Sequence, residues 1–285
     1  MNFAVNSIWR VIPPLVTSGA MQMAIDRYLL EQYRRSQRLL RREMTEPALT
    51  VGQDSSIVGN NKSPCFDGVL RFYTWQPAAI SLGYHQKDYP DHWRNLTWSG
   101  KPLDIVRRPT GGRAVLHQGD LTYMVVTSIA PGKRLAVYKQ ICQFLIAGWR
   151  SLGVNLEYGT ATKEYIQQQN CFATATGSDL ITRDGNKVIG SAQLRRGKTV
   201  LQHGSMILNT NPNLYQRVFD TSLNQSLIGN ISLHQDRLTI GHDGDHTAKI
   251  VKGLTQAAIA IFKIDLVEQP LSTKEWQDIA NMRVE

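Results

Sequence analysis

Asp179-Leu180-Ile181-Thr182-Arg183-Asp184-Gly185-Asn186-Lys187-Val188-Ile189-Gly190-Ser191-Ala192-Gln193-Leu194-Arg195-Arg196-Gly197-Lys198-Thr199-Val200-Leu201 alternates β-prone runs with turn residues. Asp184-Gly185 is the pair that a two-residue type I′ turn demands, because both central positions need positive φ. It predicts a hairpin between 179–182 and 187–192, and Arg196-Gly197 turns the chain again into 199–201. The result is a three-stranded antiparallel meander, so the segments around it decide the fold class.

Upstream, Ser18 is a helix N-cap, followed by Met21, Ile25, Tyr28 and Leu29 at helical spacing, which predicts an amphipathic helix lying on a sheet. Arg34, Arg35, Arg38, Arg41 and Arg42 crowd its extension. The polar stretch 52–68 that follows makes 32–69 a surface insertion, with the arginines either a docking surface or a solvated helix face. Residues 70–84 are aromatic and β-prone, broken at Pro77. A short buried strand over 103–106 runs into Arg107-Arg108-Pro109-Thr110-Gly111-Gly112-Arg113-Ala114-Val115-Leu116-His117. Another strand covers 121–129. Leu135, Tyr138, Ile141, Cys142, Leu145 and Trp149 then mark a helix that Gly153 ends. Ile250, Leu254, Ala257, Ala258 and Ile261 share one face of a helix over 249–262, and 274–282 reads as a last helix. Residues 211–285 are thus expected to be the helical C-terminal part of one domain spanning 1–285. Strands and helices without βαβα regularity give an α+β fold, with mixed β-sheets flanked by helices.

Composition narrows the function classes. With 42% hydrophobic and 19% charged residues, the chain is globular rather than disordered. Lys and Arg number 32 against 23 Asp and Glu, so a net charge of +9 draws acidic partners. The three cysteines, Cys65, Cys142 and Cys171, are odd in number and form no C-x-x-C, which excludes a disulfide framework and a zinc ribbon and points to a reducing cytoplasm. No apolar run approaches a membrane span, and the first fourteen residues carry no secretory signal pattern, so no membrane partner is expected. His242 and His246 with Asp243 and Asp245 have metal-like spacing, but Gly241 and Gly244 favour a polar loop and no metal.

Three stretches concentrate reactive residues. Gly111-Gly112 between arginines brings backbone N–H groups close to a carbonyl or phosphate, and is also a common structural turn. Cys171 lies between the polar 167–170 and the small residues 173–177, a loop position that favours a reachable thiol. A nearby cation activates such a thiol, and Lys187 on the next strand is the candidate. The bland reading makes Cys171 a small buried hydrophobe and Lys187 a solvated strand residue.

Taken together, Met23-Ala24-Ile25-Asp26, Leu70-Arg71-Phe72-Tyr73-Thr74-Trp75, Ser81-Leu82-Gly83-Tyr84, the 107–117 stretch, Lys187-Val188-Ile189-Gly190-Ser191-Ala192-Gln193 and Leu201-Gln202-His203-Gly204-Ser205 resemble the lipoate–protein ligase and octanoyltransferase family, in family order over residues 9–209. That family shares the catalytic fold of biotin–protein ligases. Arg113, where ATP-dependent ligases carry a third glycine, and Cys171 look like the cysteine-dependent octanoyltransferases.

The resemblance implies a protein N-octanoyltransferase of lipoate assembly. Cys171 would take an octanoyl group from acyl carrier protein and pass it to a lysine of a lipoyl domain such as glycine-cleavage H protein, assisted by Lys187. It places the acyl chain in a tunnel under the Gly-Gly loop, with Arg108, Gly111, Gly112, Arg113, His117, Trp75, Tyr84 and Gly190 as binding residues and Val106 as a further wall. No cofactor is needed on that route. The alternatives are an ATP-dependent lipoate or octanoate ligase, in which ATP is required, a lipoyl amidotransferase, and a non-catalytic acyl- or nucleic-acid-binding module. Nucleic acid is not expected, since the recognition motifs of its binding modules are missing.

Overall fold

The computed structural model describes residues 7–45, 66–130, 132–159, 177, 179–223 and 243–282. In chain order, β1 (Ser7–Thr17) and α1 (Gly19–Thr45) precede β2 (Gly68–Trp75), β3 (Ala79–Leu82), a 3-10 turn (Asp91–Asn95), β4 (Thr97–Trp98), β5 (Lys101–Pro102) and β6 (Asp104–Arg107). Then come β7 (Val115–His117), β8 (Asp120–Ser128), α2 (Arg134–Ser151), β9 (Leu156–Tyr158), β10 (Leu180–Thr182), β11 (Lys187–Arg196) and β12 (Thr199–Ile207). The chain closes with α3 (Pro212–Phe219), α4 (Asp243–Phe262), β13 (Ile264–Glu268) and α5 (Thr273–Ala280).

Eight strands form the main sheet in the order β13-β1-β2-β8-β12-β11-β10-β9, and β6-β3-β7 form a smaller one. β1 runs parallel to both of its neighbours, and the other pairs of the main sheet are antiparallel. The expected α+β architecture of mixed sheets flanked by helices is the one observed.

The central strands are buried on both faces, which is why they read as near-continuous apolar runs. Leu70, Phe72, Tyr123 and Val125 face Ile141, Phe144 and Leu145 of α2 and Leu254 and Phe262 of α4. Their sequence neighbours Val69, Tyr73, Met124 and Val126 face Met23, Ile25 and Leu29 of α1. The α1 helix that Ser18 announces runs on to Thr45, so 32–45 is helix and 46–65 lie outside the described residues.

Several expectations need correction. The 182–187 connection is not type I′, because Gly185 has φ +81° while Asp184 is not among the positive-φ residues. Thr182 accepts from Gly185 N at 2.9 Å and donates to Asn186 O at 2.8 Å. This is a three-residue loop with glycine in the left-handed position, and the ladder register shifts beside it. α4 begins at Asp243, so Asp243 to His246 are helical despite Gly244. Ile250, Leu254, Ala258 and Phe262 bury together, and that packing outweighs a glycine worth only about 1 kcal/mol. His242 lies outside the described residues, among which no three His, Cys, Asp or Glu side chains are placed to hold a metal. Ile261 is exposed, its expected place in the core taken by Phe262, and Leu135 is exposed at the start of α2.

The 211–285 part is not helical alone, since β13 completes the main sheet beside β1. β1 carries Pro13-Pro14, and the register of its pairing with β2 shifts between Ile12 and Leu15, where the prolines break the ladder. Arg10 fastens this edge by donating to both oxygens of Glu275, at 2.7 and 2.9 Å, and to the carbonyls of Gln269 and Pro270. Among the described residues no helix is long and apolar enough to cross a membrane.

Candidate active site

On the α1 side of β11 and β12, under the 107–117 segment, lies a cleft with about 530 Å3 of empty space, part of it open to solvent. Met23, Tyr73, Trp75 and Val115 give it apolar walls, and Gly190, Ala192, Gly204 and Ser205 border it from the two strands. Polar groups enter from Ser81, Arg108, His117, Asp179, Ser191 and His203.

The loop over the cleft is held by its own arginine. Buried Arg108 donates to Ser81 O (2.8 Å), to Gly111 O through Nε (3.2 Å) and Nη2 (2.9 Å), and to Arg113 O (2.6 Å). Gly83 makes the close approach possible. A Cβ there would run into the carbonyl of Gly112, so the Ser81-Leu82-Gly83 strand end and the Gly111-Gly112 turn touch backbone to backbone. The fork of Arg108 suits this task, since one planar group satisfies several carbonyls at once.

His117 is fixed from both sides. Its Nδ1 lies 2.8 Å from Asp120 Oδ2 and its Nε2 2.8 Å from Ser81 Oγ, while Trp75 stacks on its ring at 3.9 Å. Nδ1–H donating to the carboxylate leaves Nε2 to accept from the Ser81 hydroxyl. Arg108 also donates to Ser81 Oγ, at 3.2 Å, which takes up one of the two lone pairs of that oxygen. The row therefore orients His117 against the cleft wall. Asp120 accepts as well from Ser205 (2.7 Å) and Thr122 (3.1 Å), and Thr122 accepts from Trp75 Nε1 (2.9 Å).

A second buried network holds His203. Asp26 of α1 accepts from Arg71 (3.2 Å) and Tyr73 (2.9 Å) and sits 2.8 Å from His203 Nδ1, and His203 Nε2 meets Thr110 Oγ1 at 2.6 Å. Gln22 is a further partner of Arg71. Burial holds the His203 imidazole below its ordinary value of 6.5, although Asp26 pulls the other way. Neutral His203 thus donates through Nδ1 to Asp26 and accepts the Thr110 hydroxyl proton, tying the 107–117 loop to β12. The sign of the pH effect follows. Below pH 6.5 the unfolded chain binds a proton at His203 that the folded protein refuses. Stability therefore falls with pH from there down to the folded value, by up to about 1.4 kcal/mol per unit. Thermal melts between pH 7 and 5 should show a steeper fall for wild type than for His203→Gln, and parallel slopes would refute the assignment.

Lys187 opens β11 and is buried, its Nζ 2.8 Å from Asp179 Oδ2. Asp179 lines the cleft and accepts from Gly159 N at 2.9 Å, while Leu180 pairs with Tyr158. The chain thus leaves the sheet after β9 and returns before β10 side by side, at the cleft wall. Cys171 lies on the intervening stretch, outside the described residues. Cys142, by contrast, is buried under the sheet, with Gln202 donating to its sulfur at 3.3 Å. Burial pushes its thiol up to about 11, so it stays protonated and out of reach.

Of the residues singled out from the sequence, Trp75, Arg108, Gly112, His117 and Gly190 line the cleft. Gly111 and Arg113 contribute carbonyls to the Arg108 fork, and Lys187 stands behind Asp179. Tyr84 is 51% exposed and is not a lining residue, and Val106 packs against Gly19 in the α1 core instead. Asp26, Arg71, Ser81, Asp120, Asp179 and His203 were given no role beforehand. The signal for the first two was present as a charge set inside each of two apolar runs, Met23 to Leu30 and Val69 to Tyr73.

A lipoyl protein ligase A/B catalytic-domain model matches residues 18–241. The chain is 33% identical over 277 residues, 94% of its length and 91% of the relative's, to a protein named Octanoyltransferase LipM from Carboxydothermus hydrogenoformans. It is 35% identical over 209 residues, 70% of its length and 66% of the relative's, to one of the same name from Clostridioides difficile. Among solved structures, a bipartite lipoate protein ligase from Thermoplasma acidophilum superposes with a TM-score of 0.63 at 17% identity, covering 96% of this chain and 91% of that one. A lipoate-protein ligase A bound with ATP gives 0.65 at 19%, covering 95% and 92%. At these identities the structures share the fold alone, but the model match and the first relative fix the family: the chain belongs to the lipoyl protein ligase A/B catalytic-domain family and is an acyltransferase.

Proposed function

We propose that the protein transfers an octanoyl group from the thioester of acyl carrier protein to a lysine of a lipoyl domain, such as glycine-cleavage H protein, through an acyl-enzyme on Cys171. The observation that carries this reading is the junction at Asp179. There Asp179, buried on the cleft wall, pairs its carboxylate with Lys187, while its backbone carbonyl accepts from Gly159 N and so brings together the two ends of the stretch that bears Cys171. The names of the relatives supply the acyl group.

In the first step the Cys171 thiolate attacks the donor thioester carbon, the carbonyl electrons move to oxygen, and the carrier thiolate leaves with a proton. In the second, the acceptor amine attacks the enzyme thioester, loses a proton, and Cys171 thiolate departs. The Lys187 ammonium favours the thiolate at both ends of this cycle. Backbone N–H groups of the 111–113 turn or near Gly190 face the developing oxyanion. The apolar walls at Met23, Tyr73, Trp75 and Val115 take the tail, whose six methylenes contribute roughly 5 kcal/mol when buried. A thioester is already activated, so no ATP enters the reaction, and the protein works in the cytoplasm.

Intact mass spectrometry after mixing the protein with octanoyl acyl carrier protein, without ATP, tests this. A hydroxylamine-labile octanoyl adduct is expected. No adduct, with lipoyl-domain acylation from free octanoate once ATP is added, would make the protein a ligase. Lys187→Met should slow adduct formation by roughly 10^2-fold or more, and a change under threefold would remove Lys187 from the mechanism.

A further inference from the structure

The floor of the cleft is a trough that crosses the strands. Register sets Gly190 opposite Ser205, Ser205 opposite Thr122, and Thr122 opposite Tyr73. Opposed residues of an antiparallel ladder point to one face, here the face on which Tyr73 packs with the α1 core. All four border the cleft. Three are small, and the fourth ends the row with a ring. The next row on the same face stands higher, with Met124 opposite His203. On the other side, Trp75 is drawn to Thr122 by its Nε1 bond of 2.9 Å, and the hydroxyls of Thr122 and Ser205 are turned to Asp120. The path left over the small residues runs from β11 to β2.

Tyr73 closes that path as a fixed wall. Its hydroxyl donates to Asp26 at 2.9 Å, the Arg71 guanidinium lies over its ring at 4.0 Å, and the Trp75 ring stands 5.6 Å away. A buried ring held at its tip and on one face does not swing aside for a longer ligand. On the acyl-transfer reading above, the thioester carbonyl sits at the β11 end, where Asp179 of the cleft wall pairs with Lys187. From Gly190 to Tyr73 are three interstrand steps of about 4.8 Å, about 14 Å in all. A carbon contact of about 3.8 Å with the ring leaves about 10 Å for the chain. With bonds of about 1.5 Å advancing about 1.25 Å each, octanoyl spans about 9 Å from carbonyl carbon to methyl, decanoyl about 11 Å and dodecanoyl about 14 Å. Octanoyl fills the trough, decanoyl presses on the ring, and dodecanoyl does not fit.

We infer that Tyr73 determines acyl-length specificity by ending the Gly190–Ser205–Thr122 trough about eight carbons from the reacting carbonyl. The place of the carbonyl rests on the acyl-transfer reading. The test measures kcat/KM with hexanoyl-, octanoyl- and dodecanoyl-pantetheine as donors. Wild type should favour octanoyl over dodecanoyl by about 10^2-fold or more, and over hexanoyl, which buries two methylenes fewer, by about tenfold. Tyr73→Ala should narrow the octanoyl-to-dodecanoyl ratio at least tenfold. Tyr73→Phe keeps the ring and loses only the bond to Asp26, so it should leave the ratio within threefold. Ser205→Thr keeps a hydroxyl for Asp120 and adds a methyl to the floor, which should move the preference toward hexanoyl at least fivefold. A merely structural role for Tyr73 would slow all donors alike. An unchanged ratio in Tyr73→Ala, or one shifted as far by Tyr73→Phe, would overturn the assignment. If Tyr73→Ala does not fold, an unchanged profile in Ser205→Thr does the same. Calorimetric titration with free octanoate and dodecanoate reads the trough without transfer: octanoate should bind wild type at least tenfold more tightly, with the order reversed in Tyr73→Ala. No transfer from any thioester would refute the acyl-transfer reading, while the titration still decides the length stop, and equal or absent binding of both acids by wild type would remove it.

Discussion

Cys171→Ala is expected to lower octanoyl transfer from acyl carrier protein by at least about 10^3-fold and to abolish the octanoyl adduct. On the acyl-enzyme route the thiolate is one of the two bond-forming groups, and nothing else described near the cleft replaces it. Ser81 is held by Arg108 and His117, and Cys142 is buried with its thiol pushed up to about 11. The Cys171→Ser variant should be nearly as poor, because a hydroxyl stays protonated at a pH where an activated thiol ionises. Steady-state rates with and without ATP decide the matter. A Cys171→Ala protein that keeps more than a tenth of the wild-type rate would end the covalent route.

The largest stability effect is expected at Asp26. Its side chain is fully buried, and it compensates Arg71, whose side chain is equally buried, while accepting from Tyr73 and meeting His203. Asp26→Ala leaves a guanidinium in the core without its carboxylate, which costs about 3–5 kcal/mol. For a domain of this size that corresponds to a fall in Tm on the order of 10 °C. Asp26→Leu combined with Arg71→Met removes both charges and should recover a good part of the loss, because burying an ion pair is itself expensive. Denaturation midpoints of the two variants give the comparison. A single variant within 1 kcal/mol of wild type would mean that water reaches Arg71.

The elements legible beforehand are those whose signal is local. α1, α2 and β8 declare themselves by period and length, and Arg196-Gly197 marks its turn correctly, with Gly197 at φ +64°. β1 and β13 were not legible, since each is paired in parallel with a strand far off in sequence and β1 contains two prolines. The ordered short motifs located the cleft through Trp75, Arg108, Gly112, His117 and Gly190. They did not show which polar groups touch. Asp26 and His203 are 177 positions apart, and Asp26 and Arg71 are 45 apart, so only the folded sheet pairs them. Tyr84 lies off the cleft for a different reason. Its backbone N–H bonds Thr110 O at 2.8 Å, which fixes the loop while the ring turns outward.

The position of β1 bears on how the chain is made. Synthesis proceeds from the N-terminus, yet Ser7 pairs with Ile264 and Arg10 waits for Glu275. Until residues 264–268 leave the ribosome, one side of β1 is a bare ladder of peptide groups beside apolar side chains, the kind of edge that recruits foreign strands. Ile8 and Val16 sit on that strand exposed even in the finished protein. Vectorial folding therefore leaves β1 waiting for β13, and a ribosome stalled shortly before codon 264 would hold a nascent chain with that strand still half-paired.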